Sequence, residues 1–579
     1  MTAAAAALAT IQSMQIAFQM LQTLQPTAWR YPAHHKIKNG DSFDFIVVGG
    51  GSAGSVVSSR LTENKTTKVL VIEAGGYPPL QSQFPAWFTL LARSVYDFNF
   101  TSVNDGKTAQ NLQDNIVTLV QGKMLGGSSS LHHMMHTNGD PEDYDTWAKI
   151  VKDDKWTFKN IQRYFKKLET LINPKLLRKE DLSFHGFDGP IKIGKDKYCS
   201  NQKYLKAFKE LGHKIVSDIN SQIPAVGYGE NLFEIGDEVR QNSAFGYLGR
   251  AKTRSNLCLS LFTTATKILL HGTKAVGVQV TTSSGETIQV FADKEVIVSA
   301  GAINSPKLLM LSGIGPKEHL SSVGIDVIAD LPVGQNFQDH ACASVLFQVD
   351  ECESATPAGN PHKFPVPSFN GYVALDNKYA DYVTINLDFQ CESSNLLQLS
   401  VNMFSYAFNI SDTFYEASKN RKVLFTLLGL LKPKSRGCVL LKSANPDENP
   451  VVHTGMFSNE DDIDLIARAF VDHNRVLETK YFKKINASLV DVGVCKDFVP
   501  GSYEYWRCYA VSMSATMWHY AGTCAMGDVL DGDLRVKGLE SLRVVDASAM
   551  PTMIRGKIHA AVMMLAEHGA DIIRNYWKI

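Results

Sequence analysis

The sequence lacks a charge excess, a Cys-x-x-Cys pair, an internal repeat and a long uninterrupted apolar run. Its 58 Lys and Arg balance its 58 Asp and Glu, which argues against the basic surface typical of nucleic-acid binding. The nine scattered cysteines give no structural zinc motif. No apolar run reaches the roughly 18–20 residues of a membrane span. We therefore expect small-molecule partners, no nucleic acid and no transmembrane anchor.

The length and apolar content of the chain predict more than one structural unit. Its 579 residues, 44% of them apolar, exceed what a single hydrophobic core usually supports. Residues 1–29 carry no charged side chain, but glutamines interrupt the apolar stretch at roughly helical spacing. This segment is either an amphipathic helix or a poor signal sequence.

Glycosylation motifs favour a secreted protein, with a cytoplasmic one as the alternative. Four Asn-x-Ser/Thr sequences begin at Asn64, Asn99, Asn409 and Asn486, and such sites are glycosylated on the surface of secreted proteins. In that setting Cys495 and Cys508 are candidates for a disulfide.

Two buried strands flank a glycine-rich turn near the N-terminus. The run Phe43–Val48 is apolar except for Asp44, as in a strand buried on both faces of a parallel sheet. A helix of small residues follows from about Ser52 to Leu61, and a second strand ends at Glu73. This is the pattern of a βαβ unit.

The turn carries the GxGxxG spacing of a dinucleotide site. Its glycines permit a tight turn, let a pyrophosphate approach backbone N–H groups, and let the helix pack against the strand. The acidic side chain at the end of the second strand is placed to bind ribose hydroxyls. The predicted dinucleotide contacts are Gly49, Gly51, Ser52, Ala53, Gly54, Glu73 and Ala74.

Similar strand-and-helix patterns recur later in the chain. We expect a strand over Glu295–Ser299 and a helix that begins near Ser305 and Pro306. A strand that stops at Asp546 and a long final helix end the chain. The aromatic-rich stretch 341–506 contains alternating segments such as YVTINLDFQ, which predict an antiparallel sheet.

Several of these segments resemble, in the same order, the signatures of the glucose-methanol-choline (GMC) oxidoreductases, a family of FAD enzymes. The matching segments are Gly49–Gly54, Gly122–Gly139, Gly301–Gly315, 331–340, 519–529 and 542–552. The resemblance implies an α/β FAD-binding domain of the doubly wound, Rossmann-like type and an α+β substrate domain built on an antiparallel sheet. It implies a lead-in over 1–42, an FAD-binding domain over 43–165, 225–340 and 507–579, and a substrate-binding domain over 166–224 and 341–506.

The resemblance also implies further FAD contacts. Gly127 and Ser128 correspond to the loop along the flavin, and His132 after it is a further expected FAD contact. Ala265 corresponds to the backbone near the adenine, and Asp546 and Ala547 to contacts near the pyrophosphate and ribityl chain.

Two positions depart from or qualify this pattern. His132 replaces the family's usual Asn, as in members that oxidise aryl alcohols. Leu131 occupies the place of the histidine that links FAD in choline-oxidising members. We therefore expect FAD to be bound noncovalently.

The same resemblance makes His519 the active-site base. Flavin-dependent alcohol oxidation requires removal of the hydroxyl proton and transfer of the carbinol hydride to flavin N5. A neutral imidazole suits the first task, and the aromatic rings beside His519 favour its neutral form by desolvation. His559 matches the second polar position of the family, near the start of the last helix, where the helix dipole disfavours a positive charge. Lys557 replaces a usual Asn.

A metal site is not expected. His132, His133 and His136 suggest metal ligation because residues i and i+4 share a helix face. No third ligand accompanies them, and they follow the predicted flavin loop.

The segment FDFIVVGGGSAGSVVSSRL, the N-terminus and the glycosylation motifs resemble the insect branch of the family. We expect the substrate to be a bulky apolar alcohol such as an ecdysteroid, oxidised at C3 to the 3-dehydro ketone. Molecular oxygen would be reduced to hydrogen peroxide, or a quinone would accept the electrons. The alternatives are a sugar-type dehydrogenase, an aryl or salicyl alcohol oxidase, and a hydroxynitrile-lyase-like enzyme without net redox chemistry.

Overall fold

The structure is a computed structural model that describes residues 2–24, 27–195, 199–349 and 360–579. The strands in chain order are β1 Ser42–Val48, β2 Val69–Ile72, β3 Phe100–Thr101, β4 Thr118–Leu119, β5 Met135–His136, β6 Glu169–Leu171, β7 Ile191–Lys195, β8 Gly227–Glu230, β9 Leu232–Phe233, β10 Ile235–Gly236, β11 Val239–Arg240, β12 Leu257–Ser260, β13 Thr264–His271, β14 Lys274–Thr281, β15 Thr287–Val298, β16 Ala341–Val349, β17 Ser368–Val373, β18 Tyr382–Phe389, β19 Lys422–Leu430, β20 Cys438–Leu440, β21 Val451–His453, β22 Ser488–Leu489, β23 Ala515–Thr516 and β24 Leu542–Val544.

The helices lie between these strands and at both ends of the chain. They are α1 Ala3–Leu24, α2 Ser52–Leu61, α3 Pro141–Val151, α4 Phe158–Leu168, α5 Cys199–Glu210, α6 Gly249–Ala251, α7 Gly301–Leu311, α8 Lys317–Ser322, α9 Ser394–Leu397, α10 Phe408–Ser418, α11 Glu460–Asn474, α12 Lys480–Lys484, α13 Tyr503–Ser512 and α14 His559–Trp577.

The first large sheet is mixed and has seven strands in the order β12-β2-β1-β15-β14-β13, with β24 also paired to β15. Strand β1 runs parallel to both β2 and β15. From Phe45 to Val48 its residues are apolar and buried, as in a strand whose sheet is covered on both faces. The predicted βαβ unit is confirmed, and α2 has the predicted bounds.

Helix α7 starts earlier than predicted. We expected a beginning near Ser305, but the helix runs from Gly301, and Pro306 lies inside it. A proline lacks the N–H that would bond the carbonyl four residues earlier, which here is the carbonyl of Ala302. The hydroxyl of Thr523 donates to that oxygen at 2.6 Å. A side chain distant in sequence therefore satisfies the group that Pro306 leaves unbonded.

The second large sheet is antiparallel, as predicted for the aromatic-rich stretch. Its order is β22-β16-β19-β18-β17-β8, with β23 paired to β16. Strands β18 and β19 are buried along almost their whole length. Together with the mixed sheet this gives the expected two-part architecture. The exact domain boundaries stay a prediction.

A smaller sheet has four strands in the order β5-β9-β7-β6, and these strands lie in sequence between β2 and β12 of the mixed sheet. Strand β5 ends at His136, β9 ends one residue before Glu234, and β6 starts at Glu169. This sheet therefore brings histidines and carboxylates from separate parts of the chain together.

The N-terminal segment forms helix α1, one of the two structures that its sequence allowed. Residues Ala3–Leu21 are long and apolar enough to cross a membrane by length and composition alone, as signal sequences and core helices also are. The expectation of no such segment is therefore not confirmed. In the structure the amide of Gln15 is buried and donates to the carbonyls of Leu90 at 2.8 Å and Ala92 at 3.0 Å.

A buried ion pair joins two parallel strands beneath the cofactor side of the fold. Arg543 on β24 donates through Nε to Glu295 on β15 at 2.8 Å, and both side chains are almost fully buried. The indole of Trp577, at the end of α14, donates to the same carboxylate at 2.9 Å. The pair thus holds the last helix against the sheet.

Replacing Arg543 by Met leaves the carboxylate of Glu295 buried without its charge partner. We expect a loss of about 3–5 kcal/mol in the free energy of unfolding, measured by denaturant titration. The exposed pair between Lys434 and Asp461 supplies the control, since Lys434→Met should leave the unfolding midpoint unchanged. Equal unfolding midpoints for the Arg543 variant and the wild type would contradict a stabilising role of the ion pair between Arg543 and Glu295.

Candidate active site

One cavity of about 450 Å³ collects the residues predicted from sequence. Residues of the glycine turn line one part of it, and the antiparallel sheet contributes Ile385 and Leu427. Gly54 does not line it. The predicted residues that do are Gly49, Gly51, Ser52, Ala53, Glu73, Ala74, Gly127, Ser128, His132, Ala265, His519, Asp546, Ala547 and His559.

The three glycines of the turn have different steric roles. Gly49 has φ of +101°, a conformation that favours glycine. A Cβ on Gly54 would lie 1.9 Å from the carbonyl oxygen of Gly49, so Gly54 permits close packing between helix and strand. A Cβ on Gly51 would meet only the Cα of Gly127, at 3.7 Å. The open space beside Gly51 belongs to the cavity.

Glu73 lies at the end of β2, where a ribose-binding acid was predicted. One carboxylate oxygen accepts from the N–H of Gly50 and the other from the N–H of Gly75, both at 2.9 Å. Burial raises the pKa of Glu73 to about 7, against the opposing effect of these bonds. Each oxygen keeps a second lone pair for a ligand hydroxyl.

Asp546 ties the C-terminal segment to the start of α7. One of its oxygens accepts from the N–H of Gly301 at 2.8 Å, and the other accepts from the N–H of Ser548 at 2.8 Å. Gly301 and Ala547 line the cavity together with Asp546. A helix N-terminus and an exposed backbone edge therefore face one part of the cavity, as binding of a phosphate-bearing group requires.

His519 follows a backbone turn that its neighbours stabilise. Trp518 has φ of +56°, which is uncommon for a large residue. The hydroxyl of Thr516 accepts from the N–H of Trp518 at 2.7 Å, and Asp339 accepts from the N–H of His519 at 2.9 Å. These bonds hold the His519 ring in the cavity wall.

A second buried histidine, His340, determines how His519 is protonated. Nε2 of His340 lies 3.1 Å from the carbonyl oxygens of both Leu431 and Ile554. Because carbonyls only accept, this nitrogen carries the proton. Burial lowers the pKa of His340 to about 3, so the ring is neutral and its Nδ1 is an acceptor. Nδ1 of His519 lies 2.9 Å away and must donate. The remaining nitrogen of His519, Nε2, is then an unprotonated base.

The surroundings keep His519 neutral. Burial lowers the pKa of His519 well below its ordinary value, and the nearby rings and the amine of Lys557 lower it further. Nε2 of His519 makes no hydrogen bond with the part of the chain that the structure describes. A group in the cavity can therefore present a proton to it.

Aromatic rings shield this wall of the cavity. The Trp518 ring lies 5.0 Å from Phe404 and 5.5 Å from His133, measured between centroids. Its indole N–H donates to the carbonyl of Thr118 at 3.2 Å. Tyr520 is buried and hydrogen-bonds the carbonyl of Val120. The pattern of rings around His519 in the sequence thus becomes one apolar enclosure, which excludes water.

His559 is the first residue of α14, but both of its ring nitrogens have protein partners. Nδ1 lies 2.8 Å from Oε2 of Glu234, so it carries the proton and donates to the carboxylate. Nε2 accepts from the hydroxyl of Ser243 at 3.1 Å. His132 donates from Nε2 to Glu234 at 3.1 Å and accepts from Arg240 at Nδ1, at 2.9 Å. Glu234 thus orients both histidines.

A buried series of alternating acids and histidines continues from Glu234. His136 contacts Glu234 at 3.0 Å and Glu169 at 3.2 Å, and His185 contacts Glu169 at 2.7 Å and Asp218 at 3.1 Å. Burial opposes charging, but the carboxylates outweigh it and raise the pKa of His136 to about 9 and that of His185 to about 10. Both histidines are cations.

The helix premise behind a metal site at His132, His133 and His136 is wrong. A short turn over Gly127–Ser130 precedes these residues, and His136 lies on strand β5. His132, His559 and Glu234 do present ligand atoms within 4.8 Å of one another. However, the ring N–H groups of His132 and His559 already donate to Glu234, which also contacts the His136 cation, so hydrogen bonding accounts for the cluster.

The sequence analysis missed His340 and Glu234. His340 ends the matched segment 331–340, so a signal for it existed. Glu234 stands between Phe233 and Ile235, and an acid flanked by apolar residues was a detectable anomaly; it lies at the bend between β9 and β10. Neither pattern indicated the partner, since the contacts span 179 and 325 residues.

The described residues fit a flavin dinucleotide. Gly51 and Gly127 leave backbone exposed to the cavity, Glu73 keeps acceptor positions, and Asp546 draws the N-terminus of α7 to its wall. The cavity extends from these groups to His519. A glycine cradle at one end and an enclosed base at the other are what such a cofactor and its substrate require.

Comparisons with known proteins agree with this geometry. A family model described as GMC oxidoreductase matches residues 43–342, and its C-terminal counterpart matches residues 433–566. The ecdysone oxidase of Spodoptera littoralis is 38% identical over 568 residues, which cover 95% of this chain and 94% of that protein.

More distant relatives act on other alcohols by name. The glucose dehydrogenase [FAD, quinone] of Drosophila melanogaster is 33% identical over 551 residues, which cover 92% of this chain and 87% of that protein. Among solved structures, pyridoxine 4-oxidase from Mesorbium loti superposes with a TM-score of 0.79 at 26% identity, covering 93% of this chain and 99% of that one.

Replacing Gly51 by Ala tests the cradle. The added methyl has room within the protein, but it projects where a pyrophosphate must approach. We expect the variant to fold with an unchanged thermal midpoint of the apoprotein and to lose most of its bound flavin, measured by flavin absorbance per polypeptide. Gly106→Ala, at an open surface position with φ of +70°, should lower the thermal midpoint, because alanine is strained there, but should retain the flavin. Full flavin content in the Gly51 variant would contradict the expectation that the pyrophosphate of the flavin approaches the backbone at Gly51.

Proposed function

The chain belongs to the GMC oxidoreductase family, and from that premise we propose that it oxidises a bulky apolar alcohol of the ecdysteroid type with His519 as the base. The coarser statement, that it is an FAD-dependent alcohol oxidoreductase, follows from the family and from relatives named as oxidases and dehydrogenases. The substrate and the residue roles are the proposal.

The observation that carries the proposal is the protonation state of His519. Its Nδ1 donates to His340, so the nitrogen left for a ligand in the cavity is a lone-pair acceptor. A general base must reach the proton that it removes in an unprotonated state at the working pH. Burial supplies that state over the whole neutral range.

The proposed reaction divides the alcohol's two hydrogens. When bound, FAD supplies the acceptor for the hydride of the carbinol carbon. Nε2 of His519 takes the hydroxyl proton, and its Nδ1–H stays bonded to His340, so the ring keeps its orientation as it becomes charged. The aromatic enclosure around Trp518 excludes water, which strengthens the hydrogen bond between His519 and the alcohol.

His559 is proposed as the residue that orients the alcohol. It lines the cavity, and Glu234 fixes its ring through Nδ1. Its Nε2 is an acceptor held by Ser243. Because the one proton of the reacting hydroxyl goes to His519, this nitrogen can accept only from a second hydroxyl of the substrate.

Noncovalent attachment of FAD is likewise a proposal. Leu131 offers no nucleophile at the position of the family's linking histidine. The neighbouring His132 has partners at both ring nitrogens, Glu234 and Arg240. Denaturation in acid should therefore release all flavin from the polypeptide.

Two features support the ecdysteroid assignment over a sugar. The relatives named ecdysone oxidase are 36–38% identical over nearly the whole chain, against 33% for the glucose dehydrogenases. Apolar side chains line the cavity, among them Phe98, Ile385, Met403 and Leu427. We propose molecular oxygen as the electron acceptor and hydrogen peroxide as the second product, with a quinone as the alternative.

The enzyme should reduce its flavin with an ecdysteroid faster than with glucose or an aryl alcohol, measured under anaerobic conditions in a stopped-flow spectrometer. Peroxide should form on readmission of air. His519→Gln should slow flavin reduction about 10³-fold, because a general base contributes roughly 10²–10⁴-fold. His271→Gln, on an exposed hairpin, should react as the wild type. Cleavage of the substrate without flavin reduction would instead identify a lyase.

Secretion is proposed from the cysteines and the glycosylation motifs. Cys495 and Cys508 form a disulfide, and Cys391 is also disulfide-bonded, which is typical of an oxidising compartment. Asn409 and Asn486 are exposed. Asn99 is exposed as well, but its amide donates to the carbonyls of Ser94 and Asp97.

In a secreting host, Asn409 and Asn486 should carry glycans, whereas Asn99 should not, because its amide N–H groups are engaged. Removal of N-glycans by an amidase should lower the apparent mass. Without amidase treatment, the Asn486→Gln variant should have a lower apparent mass than the wild type, and the Asn99→Gln variant should have the same apparent mass as the wild type. A protein of unmodified mass in the culture medium would contradict the assignment.

A further inference from the structure

A lysine without a carboxylate partner lines the same cavity as His519. Lys557 is 7% exposed and belongs to the cavity wall. Its ammonium nitrogen lies 3.2 Å from the hydroxyl of Tyr372. With the amide of Asn370 oriented so that all its bonds are made, the oxygen of that amide accepts from the same nitrogen. No acid in the described chain pairs with it.

The burial of Lys557 without an acidic partner lowers the stability of the folded protein. A buried ammonium group without a counter-ion is destabilising, and a methionine of similar volume would avoid the cost. An ammonium group has three N–H donors, and Tyr372 and Asn370 account for two. One donor is left for a ligand in the cavity.

The position of Lys557 is fixed from the backbone. Its N–H donates to the hydroxyl of Thr137 at 2.8 Å, and α14 begins two residues later at His559. Both nitrogens of His559 already have protein partners, whereas the amine of Lys557 has a donor free. Of these two side chains, Lys557 can contact a substrate oxygen without breaking a bond within the protein.

We propose that Lys557 is a further catalytic residue, whose ammonium group donates a hydrogen bond to the reacting oxygen of the alcohol while His519 accepts the proton of that oxygen. The O–H bond breaks, the N–H bond forms at Nε2 of His519, and Lys557 keeps its own proton. The donor stabilises the negative charge that develops on the oxygen before the hydride leaves. This inference rests on the proposed alcohol oxidation.

Two groups near His519 titrate in the neutral range. Burial raises the pKa of Asp339, whose carboxylate accepts from the backbone N–H of His519, to about 7, and lowers the pKa of Lys557 to about 7. Asp339 is unchanged in variants of Lys557, so a pH dependence that these variants lose belongs to Lys557. The other titratable groups around Lys557 are Tyr372, whose pKa burial raises far above neutrality, and His133, His340 and His519, whose pKa values burial lowers. All four are uncharged near pH 7. A rise of pH through about 7 therefore removes the one positive charge among these groups.

The test compares the wild type with Lys557→Met and Lys557→Arg as flavin-loaded enzymes. We expect kcat/KM of Lys557→Met to fall about 100-fold, the typical effect of removing one donor to a developing oxyanion, mainly through kcat. The wild-type kcat/KM should decline as pH rises through about 7, and the Met variant should lack this decline. The Arg variant stays charged at higher pH and should shift the decline upward.

Thermal stability distinguishes this role from a structural one. The Lys557→Met holoenzyme should keep or raise its Tm, because it loses an unpaired buried charge. Lys195 supplies the matched control, since it is a buried lysine near Glu230 that donates to the carbonyl of Ser217 and lies outside the cavity. Lys195→Met should lower Tm and leave kcat/KM and its pH profile unchanged.

The possible results distinguish a failure of the Lys557 proposal from a failure of the proposed function. A Met variant with near wild-type kcat/KM, or with the alkaline decline retained, overturns the role of Lys557 while the function of His519 stands. A wild-type enzyme whose flavin no alcohol reduces overturns the proposed function and this inference with it. Lower activity together with a lower Tm would assign Lys557 to structure alone.

Discussion

A single hydrogen bond between two buried imidazoles sets the chemistry of the cavity. Two neutral rings that share one bond must divide the roles of donor and acceptor, and the carbonyls of Leu431 and Ile554 assign these roles to His340. His519 must then donate toward His340 and accept toward the cavity. The base is prepared before any substrate enters, because groups outside the cavity have already placed its proton.

The two sides of the cavity treat histidine in opposite ways. Around His519 and His340 the nearby carboxylate of Asp339 bonds backbone N–H groups and, among the described contacts, no ring nitrogen, so burial keeps both rings neutral. Around Glu234, each buried acid contacts a histidine ring, and His136 is protonated because its contacts with Glu234 and Glu169 raise its pKa. Desolvation acts on both sides, and the number of acids at each ring decides which form wins. His132 contacts one acid and lies beside Arg240, and its pKa falls to about 4. His136 and His185 each contact two acids and become cations. One residue type therefore supplies both a neutral base and a rigid charged support.

Local patterns predicted much of the fold because they are set by neighbouring residues. The strand and helix around Gly49–Gly54 depend on burial and small side chains within a few residues, and α2 has the predicted bounds. The start of α7 was wrong because a proline normally ends or begins a helix, and the compensating hydroxyl of Thr523 comes from a segment 221 residues away. The contact between His340 and His519 could not be predicted for the same reason, because the residue pattern within one segment does not specify a partner in another segment.

The anchored ring of His519 has a stereochemical consequence. A half-turn of the imidazole would put a carbon against Nδ1 of His340 and lose the bond between them, so the lone pair at Nε2 has one orientation. A hydroxyl that meets it must approach along that direction, with the apolar wall of Phe98, Ile385 and Leu427 around the rest of the molecule. Mirror-image alcohols cannot satisfy both requirements equally, and the enclosure is inherently chiral toward the carbon that carries the hydroxyl.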